Sequence, residues 1–348
     1  MSSKKVINSI QFLRGFAAFV VVFYHIGGYI KKNFPVDFLG DFFGFGFAGV
    51  DLFFVISGFI IHFTSKQYFG KPDYLLEYLK KRFFRVFPIY WLVMTSLFLL
   101  GWLMSNFLHK EVLSTAYPHT FSAYFQTYFL IPFHFAINPV TWTLSYELFF
   151  YVCFAILILS KRLWIIPVAI LLISICNMIV GNPFNNKYYD FIFSGYNLEF
   201  FFGFIICKYY EQFKLSNLIA SILLIIAIII IVIFGFEISD FDYWQRVLVF
   251  GFPSGFILIS LLNLEANATI TVPKFTILLG DASYVLYLIH FPMLILLNKM
   301  PSILGSTLSA TQTVFYNYVI GILILLVSIL IHKMIEKPLS KYLMNLSK

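Results

Sequence analysis

The sequence predicts an all-α integral membrane protein of about ten transmembrane helices in one bundle, and three features carry that expectation. Of its 348 residues 60% are hydrophobic and only 11% charged, with a mean hydropathy of +0.87; soluble domains are roughly half apolar and a quarter charged. Apolar runs of roughly 20 residues, enough to cross ~30 Å of hydrocarbon, recur from end to end. In lipid the backbone must satisfy its own hydrogen bonds, so runs of that length span as helices.

The apolar runs place spans at 9–30, 47–67, 84–105, 141–160, 163–180, 192–209, 217–236, 244–263, 277–299 and 314–334. The first carries Arg14 and His25 and shows no small-residue cleavage site, so it reads as a retained span and not as a signal peptide. An N-terminus in the cytoplasm puts most of the 24 Lys and Arg residues inside and leaves Lys31, Lys32, Lys110, Lys187 and Lys299 outside. The positive-inside rule then favours two cytoplasmic termini, in keeping with an even number of spans.

The net charge of +8 is spread over several loops that flank spans, which fits membrane anchoring and argues against nucleic acid as a partner. Cys153, Cys176 and Cys207 all fall within spans and form no CxxC or ligand cluster, so neither disulfides nor a bound metal are expected. No linker, charge block or repeat divides the chain. Residues 1–348 therefore read as a single membrane-embedded domain with no appended soluble domain. The longest stretch between spans, 106–140, is aromatic at Phe121, Tyr124, Phe125, Tyr128 and Phe129, which suits the outer interface or a partial dip into it.

Ionisable side chains at membrane depth are functional candidates by default. Arg14 and His25 lie eleven residues apart on the first helix, about three turns and ~16 Å along one face. Arg14 could instead snorkel to headgroups, and His25 could be a structural hydrogen-bonding group. A desolvated, neutral His25 suits proton abstraction from an attacking hydroxyl, with a nearby carboxylate orienting the ring. Asp51, at the start of the second span, and Glu147, in the fourth, are candidates for that carboxylate. Asp51 could equally complement a helix dipole. His290 in Leu-Ile-His-Phe-Pro is either a second acid/base or an interhelical donor. Lys80, Lys81, Arg82 and Arg85 form either a topogenic cluster or a phosphate seat, and four cations in six positions suit the phosphates of coenzyme A.

These motifs together resemble the bacterial membrane acyltransferase 3 family, which includes O-acetyltransferases of O-antigens and other cell-surface glycans. The resemblance rests on Arg14-x10-His25 followed by Gly49-Val-Asp51-Leu-Phe-Phe-Val-Ile-Ser-Gly58-Phe59. It extends through Arg82-x-x-Arg85 leading into Pro88 and Tyr90, Trp142-Thr-Leu-Ser145-Tyr-Glu147, Ser283-Tyr284-Val-Leu-Tyr287-Leu-Ile-His290-Phe-Pro292 and Glu336-Lys337-Pro338. Family membership implies an enzyme in the bacterial inner membrane that transfers acetyl from cytoplasmic acetyl-CoA to a carbohydrate hydroxyl, on a glycan or lipid-linked saccharide. It further implies that Arg14 and His25 are required and that Arg82 and Arg85, with Lys81 beside them, hold the donor. Two departures stand out: Leu148 follows Glu147 where some members have a second carboxylate, and the fused esterase-like domain of many members is lacking. A polytopic bundle with buried charges also suits a transporter or flippase for lipid-linked saccharides, or a non-catalytic subunit of a glycan-assembly complex. No inverted repeat or matching pair of broken helices supports transport.

Overall fold

A computed structural model of the chain describes residues 7–33, 42–108, 120–133, 138–210, 212, 214–237 and 243–346. Its described residues form ten helical segments long and apolar enough to cross a membrane: α1 (Asn8–Asn33), α2 (Gly44–Tyr68), α3 (Pro72–Asn106), α4 (Pro139–Leu159), α5 (Lys161–Val180), α6 (Lys187–Tyr209), α7 (Asn217–Phe236), α8 (Val247–Ala266), α9 (Ser283–Ile303) and α10 (Ala310–Asn345). The protein is an all-α polytopic membrane protein, and each expected span has its helix. Differences lie at the ends. The third helix begins twelve residues earlier than hydropathy suggests, because its first turns are charged, and α9 begins at Ser283 because a separate short helix, Lys274–Asp281, precedes it.

The helices group into two compact units. Unit 1 comprises Met1–Val21, Gly44–Tyr78 and Glu147–Asp281; unit 2 comprises Val22–Phe43, Leu79–Tyr146 and Ala282–Lys348.

In unit 1, α2 and α6 touch backbone to backbone. A Cβ on Gly58 would lie 2.0 Å from the Phe200 carbonyl oxygen, and one on Gly203 would lie 1.9 Å from that of Val55. Without a hydrophobic drive between helices in lipid, such close approach supplies the dispersion contacts that hold them. Helix α7 is apolar all round, with small Ala220 and Ala227 turned inward and isoleucines such as Ile219, Ile226 and Ile233 outward. The start of α1 is capped from a distance. Glu265 on α8 accepts from the Asn8 and Ser9 amides at 3.0 and 2.9 Å and from the Ser9 hydroxyl at 2.6 Å, filling donors that a helix N-terminus leaves open.

Unit 2 shows how α9 tolerates proline. Pro292 and Pro301 lie inside this helix, and each lacks the N–H that would bond the carbonyl four residues back. The Asn138 side-chain amide donates to the Leu288 oxygen at 2.7 Å, and the Tyr316 hydroxyl donates to the Leu297 oxygen at 2.8 Å. Side chains from other elements thus satisfy both carbonyls, as a backbone in hydrocarbon requires. The aromatic stretch expected at an interface contains a short helix, Phe121–Tyr128. Its last carbonyls are tied to α3, Thr127 accepting from Tyr90 at 2.6 Å and Tyr128 from the Trp91 indole at 2.8 Å, while Phe121 and Phe125 stay exposed. Lys110, within 109–119, lies outside the described residues.

Candidate active site

In unit 2 the structure brings His25 and His290 together. Their ring centroids are 5.2 Å apart with a 31° tilt, and the Phe291 ring meets His25 edge-on at 5.3 Å. His290 is buried and His25 half-buried. The His290 Nδ1 lies 2.7 Å from the Tyr287 carbonyl oxygen and 3.2 Å from that of Leu286. A carbonyl only accepts, so Nδ1 carries the proton and the neutral ring presents its lone pair at Nε2. That Nε2 is buried and has no hydrogen-bond partner among the described residues.

The wall behind the ring is held by hydroxyls. Tyr287 donates to the Val140 carbonyl at 2.9 Å and accepts from Thr143 at 2.9 Å, which joins the Ser283–Pro292 motif to the Trp142–Glu147 motif. Ser145, from the same motif, donates to the Leu130 carbonyl at 2.8 Å. On α3, Lys81 and Arg82 are half-buried and Arg85 is exposed, with Arg82 and Arg85 one turn apart on the same side. Helix positions thus give the cations a common face from which guanidinium forks can reach phosphate oxygens.

Unit 1 holds the remaining candidates. Asp51 is fully buried and is bound by Arg246 through both oxygens, Nε–Oδ1 and Nη2–Oδ2 each at 2.9 Å. The guanidinium is flanked by the Phe47 and Tyr196 rings, 5.4 and 5.5 Å from their centroids. Glu199, also buried, interacts electrostatically with Asp51 and Arg246, and its side chain fills the space left by Gly251 in the π-helical turn Val247–Gly251. Asp51 therefore spends its carboxylate on an ion pair. Glu147 accepts from the Tyr151 hydroxyl one turn along α4, and the Arg14 guanidinium donates to Gln11 at 3.2 Å one turn back on α1.

Sequence reasoning gave no role to Arg246, Glu199 or Asn138. Pro292 was the signal for Asn138, since a proline inside a span leaves a carbonyl in need of a donor. Arg246 lies within the expected span 244–263, and its partner 195 positions away carried no local trace.

Ten apolar helical segments and a pair of imidazoles beside an interlocked set of hydroxyls place polar groups at membrane depth, where ionisable residues are functional candidates. The comparisons make the class specific: the acyltransferase domain family matches residues 7–333. The chain belongs to the acyltransferase 3 family. It is 31% identical over 311 residues to an exopolysaccharide production protein of Rhizobium meliloti, covering 86% of this chain and 91% of the relative. An O-acetyl transferase of Shigella phage Sf6 is 26% identical, covering 80% of this chain and 81% of its own. A Staphylococcus aureus O-acetyltransferase is 25% identical and covers 98% of this chain but 58% of its own length. No solved structure matches.

Proposed function

We propose that this membrane acyltransferase moves acetyl from cytoplasmic acetyl-CoA to a hydroxyl of a cell-surface carbohydrate or its lipid-linked precursor, in the bacterial inner membrane and with both termini cytoplasmic. The observation that carries this reading is the contact between His25 and a buried His290 whose Nδ1–H is bound and whose Nε2 has no partner among the described residues. The name of one relative, an exopolysaccharide production protein, and those of two others, O-acetyl transferases, support the acceptor and the acyl group.

In this mechanism His25 takes the proton of the attacking sugar hydroxyl as its oxygen bonds to the thioester carbonyl carbon. The C–S bond then breaks, and the coenzyme A thiolate leaves with that proton. His290 offers its lone pair to the His25 imidazolium, the task a carboxylate performs in many histidine sites. Lys81, Arg82 and Arg85 hold the donor phosphates, and Arg14 orients the donor or steadies the developing oxyanion.

The test is transfer of label from acetyl-labelled acetyl-CoA to glycan in membranes holding matched amounts of wild type, His25→Ala and Arg14→Ala. Wild type labels glycan, and the His25 variant loses about 10²–10⁴-fold in rate with unchanged folding. Undiminished transfer by His25→Ala sinks the assignment. No transfer by wild type to a verified acceptor, from acetyl-CoA or another acyl-CoA, would shift the reading to a transporter of lipid-linked saccharides.

A further inference from the structure

A second site lies in unit 1, apart from the imidazole pair in sequence and in chemistry. Helix α5 is a peripheral helix: Ile165, Ile166, Leu172 and Ile173 are exposed along it, and only Ser174 is fully buried. It is tied to α6 at one level by the Asn197 amide, which donates to the Ser174 hydroxyl and to the Ile192 carbonyl, each at 2.8 Å. Away from that tie, towards the start of α5 and the end of α6, α4, α5 and α6 leave a groove of about 340 Å³ between them.

Phe150 and Phe154 of α4, Val168 and Leu171 of α5, and Phe200 and Phe204 of α6 line the groove. Asn197 closes one end and Lys208 the other, eleven residues or ~16 Å along α6. Its size is at the lower limit of small-molecule pockets, about 300 Å³, so it takes one slender chain. The Lys208 side chain is exposed, packs over the Tyr209 ring at 5.0 Å, and has no carboxylate partner among the described residues. Lys66 joins it at this end: His62, one turn before Lys66 on α2, meets the ring of Phe204 at 4.4 Å, and Phe204 lies one turn before Lys208 on α6. Trp164, also in the lining, is 57% exposed and suits headgroup depth.

A long apolar slot with unpaired ammonium groups at its open end has the charge and shape complement of one amphiphile. We propose that this groove is a binding site for an anionic glycerophospholipid, one acyl chain lying between α5 and α6 and the headgroup phosphate seated at Lys208 and Lys66. The chain fills a wedge that neither helix can close, because the Asn197–Ser174 tie fixes their separation at the far end only. Lipid selectivity comes from the cations, each worth about a fivefold preference for an anionic surface.

The test uses full-length protein, purified in detergent from nanodiscs holding equal parts phosphatidylglycerol and phosphatidylcholine, with undecaprenyl phosphate as a third arm. Native mass spectrometry counts the lipid retained by wild type, Lys208→Glu and the groove-filling Val168→Trp. The expected result is one retained phosphatidylglycerol on wild type, at least about fivefold less on Lys208→Glu, and none on Val168→Trp, with unfolding temperatures near that of wild type. A site that keeps phosphatidylcholine equally well, prefers undecaprenyl phosphate, or retains phosphatidylglycerol undiminished in both variants overturns the proposal. Should Val168→Trp fail to fold, Lys208→Glu decides alone.

Discussion

Two buried sites, one in each unit, hold their ionisable groups in opposite ways. In unit 1 the Asp51 carboxylate and the Arg246 guanidinium meet as a fork, oxygen for nitrogen, so each charge has the other as its partner. In unit 2 the buried His290 gives one nitrogen to a backbone carbonyl, and the other has no partner among the described residues. A polar group at membrane depth whose bonds are complete has its charge compensated within the fold. One that is held in place yet left with an open valence for hydrogen bonding is where chemistry can occur.

This contrast can be tested, beginning where the effect is largest. Arg246→Ala strips the partner from Asp51 and leaves Glu199 beside it, and should cost about 3–5 kcal/mol. Thermal unfolding of the solubilised protein measures it, and the double change Asp51→Leu with Arg246→Met should recover most of the loss, because an apolar pair needs no neutralisation. If Arg246→Ala unfolds like wild type, the pair is not the closed, structural element described.

Asn138→Ala should cost about 1–3 kcal/mol by leaving the Leu288 oxygen without a donor. The added change Pro292→Ala supplies the missing backbone N–H, so it should stabilise the Asn138→Ala protein by more than it stabilises wild type. Equal effects in the two backgrounds would mean that the proline and the amide are not coupled. Glu265→Ala in unit 1 removes only a helix cap from α1 and should cost about 1 kcal/mol, read as a small fall in the same unfolding temperature.

Much of the fold was legible because hydropathy is a local property. A run such as 217–236 must cross hydrocarbon whatever its neighbours are, and α7 has those bounds. Charged first turns hid the true start of α3, since hydropathy discounts lysine and arginine even where they are helical. At the candidate site, His25 and His290 were legible as polar residues in apolar runs. That they face each other was not, because 265 positions of chain separate them and only packing brings the rings to 5.2 Å. Asp51 was legible as a carboxylate at depth, but its partner Arg246 lies 195 positions away and only packing brings the two together.

By itself the sequence determined that this protein is an all-α membrane protein with ten apolar spans, that it carries the acyltransferase 3 motifs, and that ionisable residues such as His25, Asp51 and His290 lie within those spans. The free energy of hydrocarbon transfer depends on composition over a short window, so no partner needs to be known. Tertiary structure decided which buried group is neutralised, which proline carbonyl is repaired by which side chain, and which imidazole nitrogen stays free. Hydrogen bonds act over ~3 Å and in fixed directions, and only the folded arrangement of distant segments sets those distances.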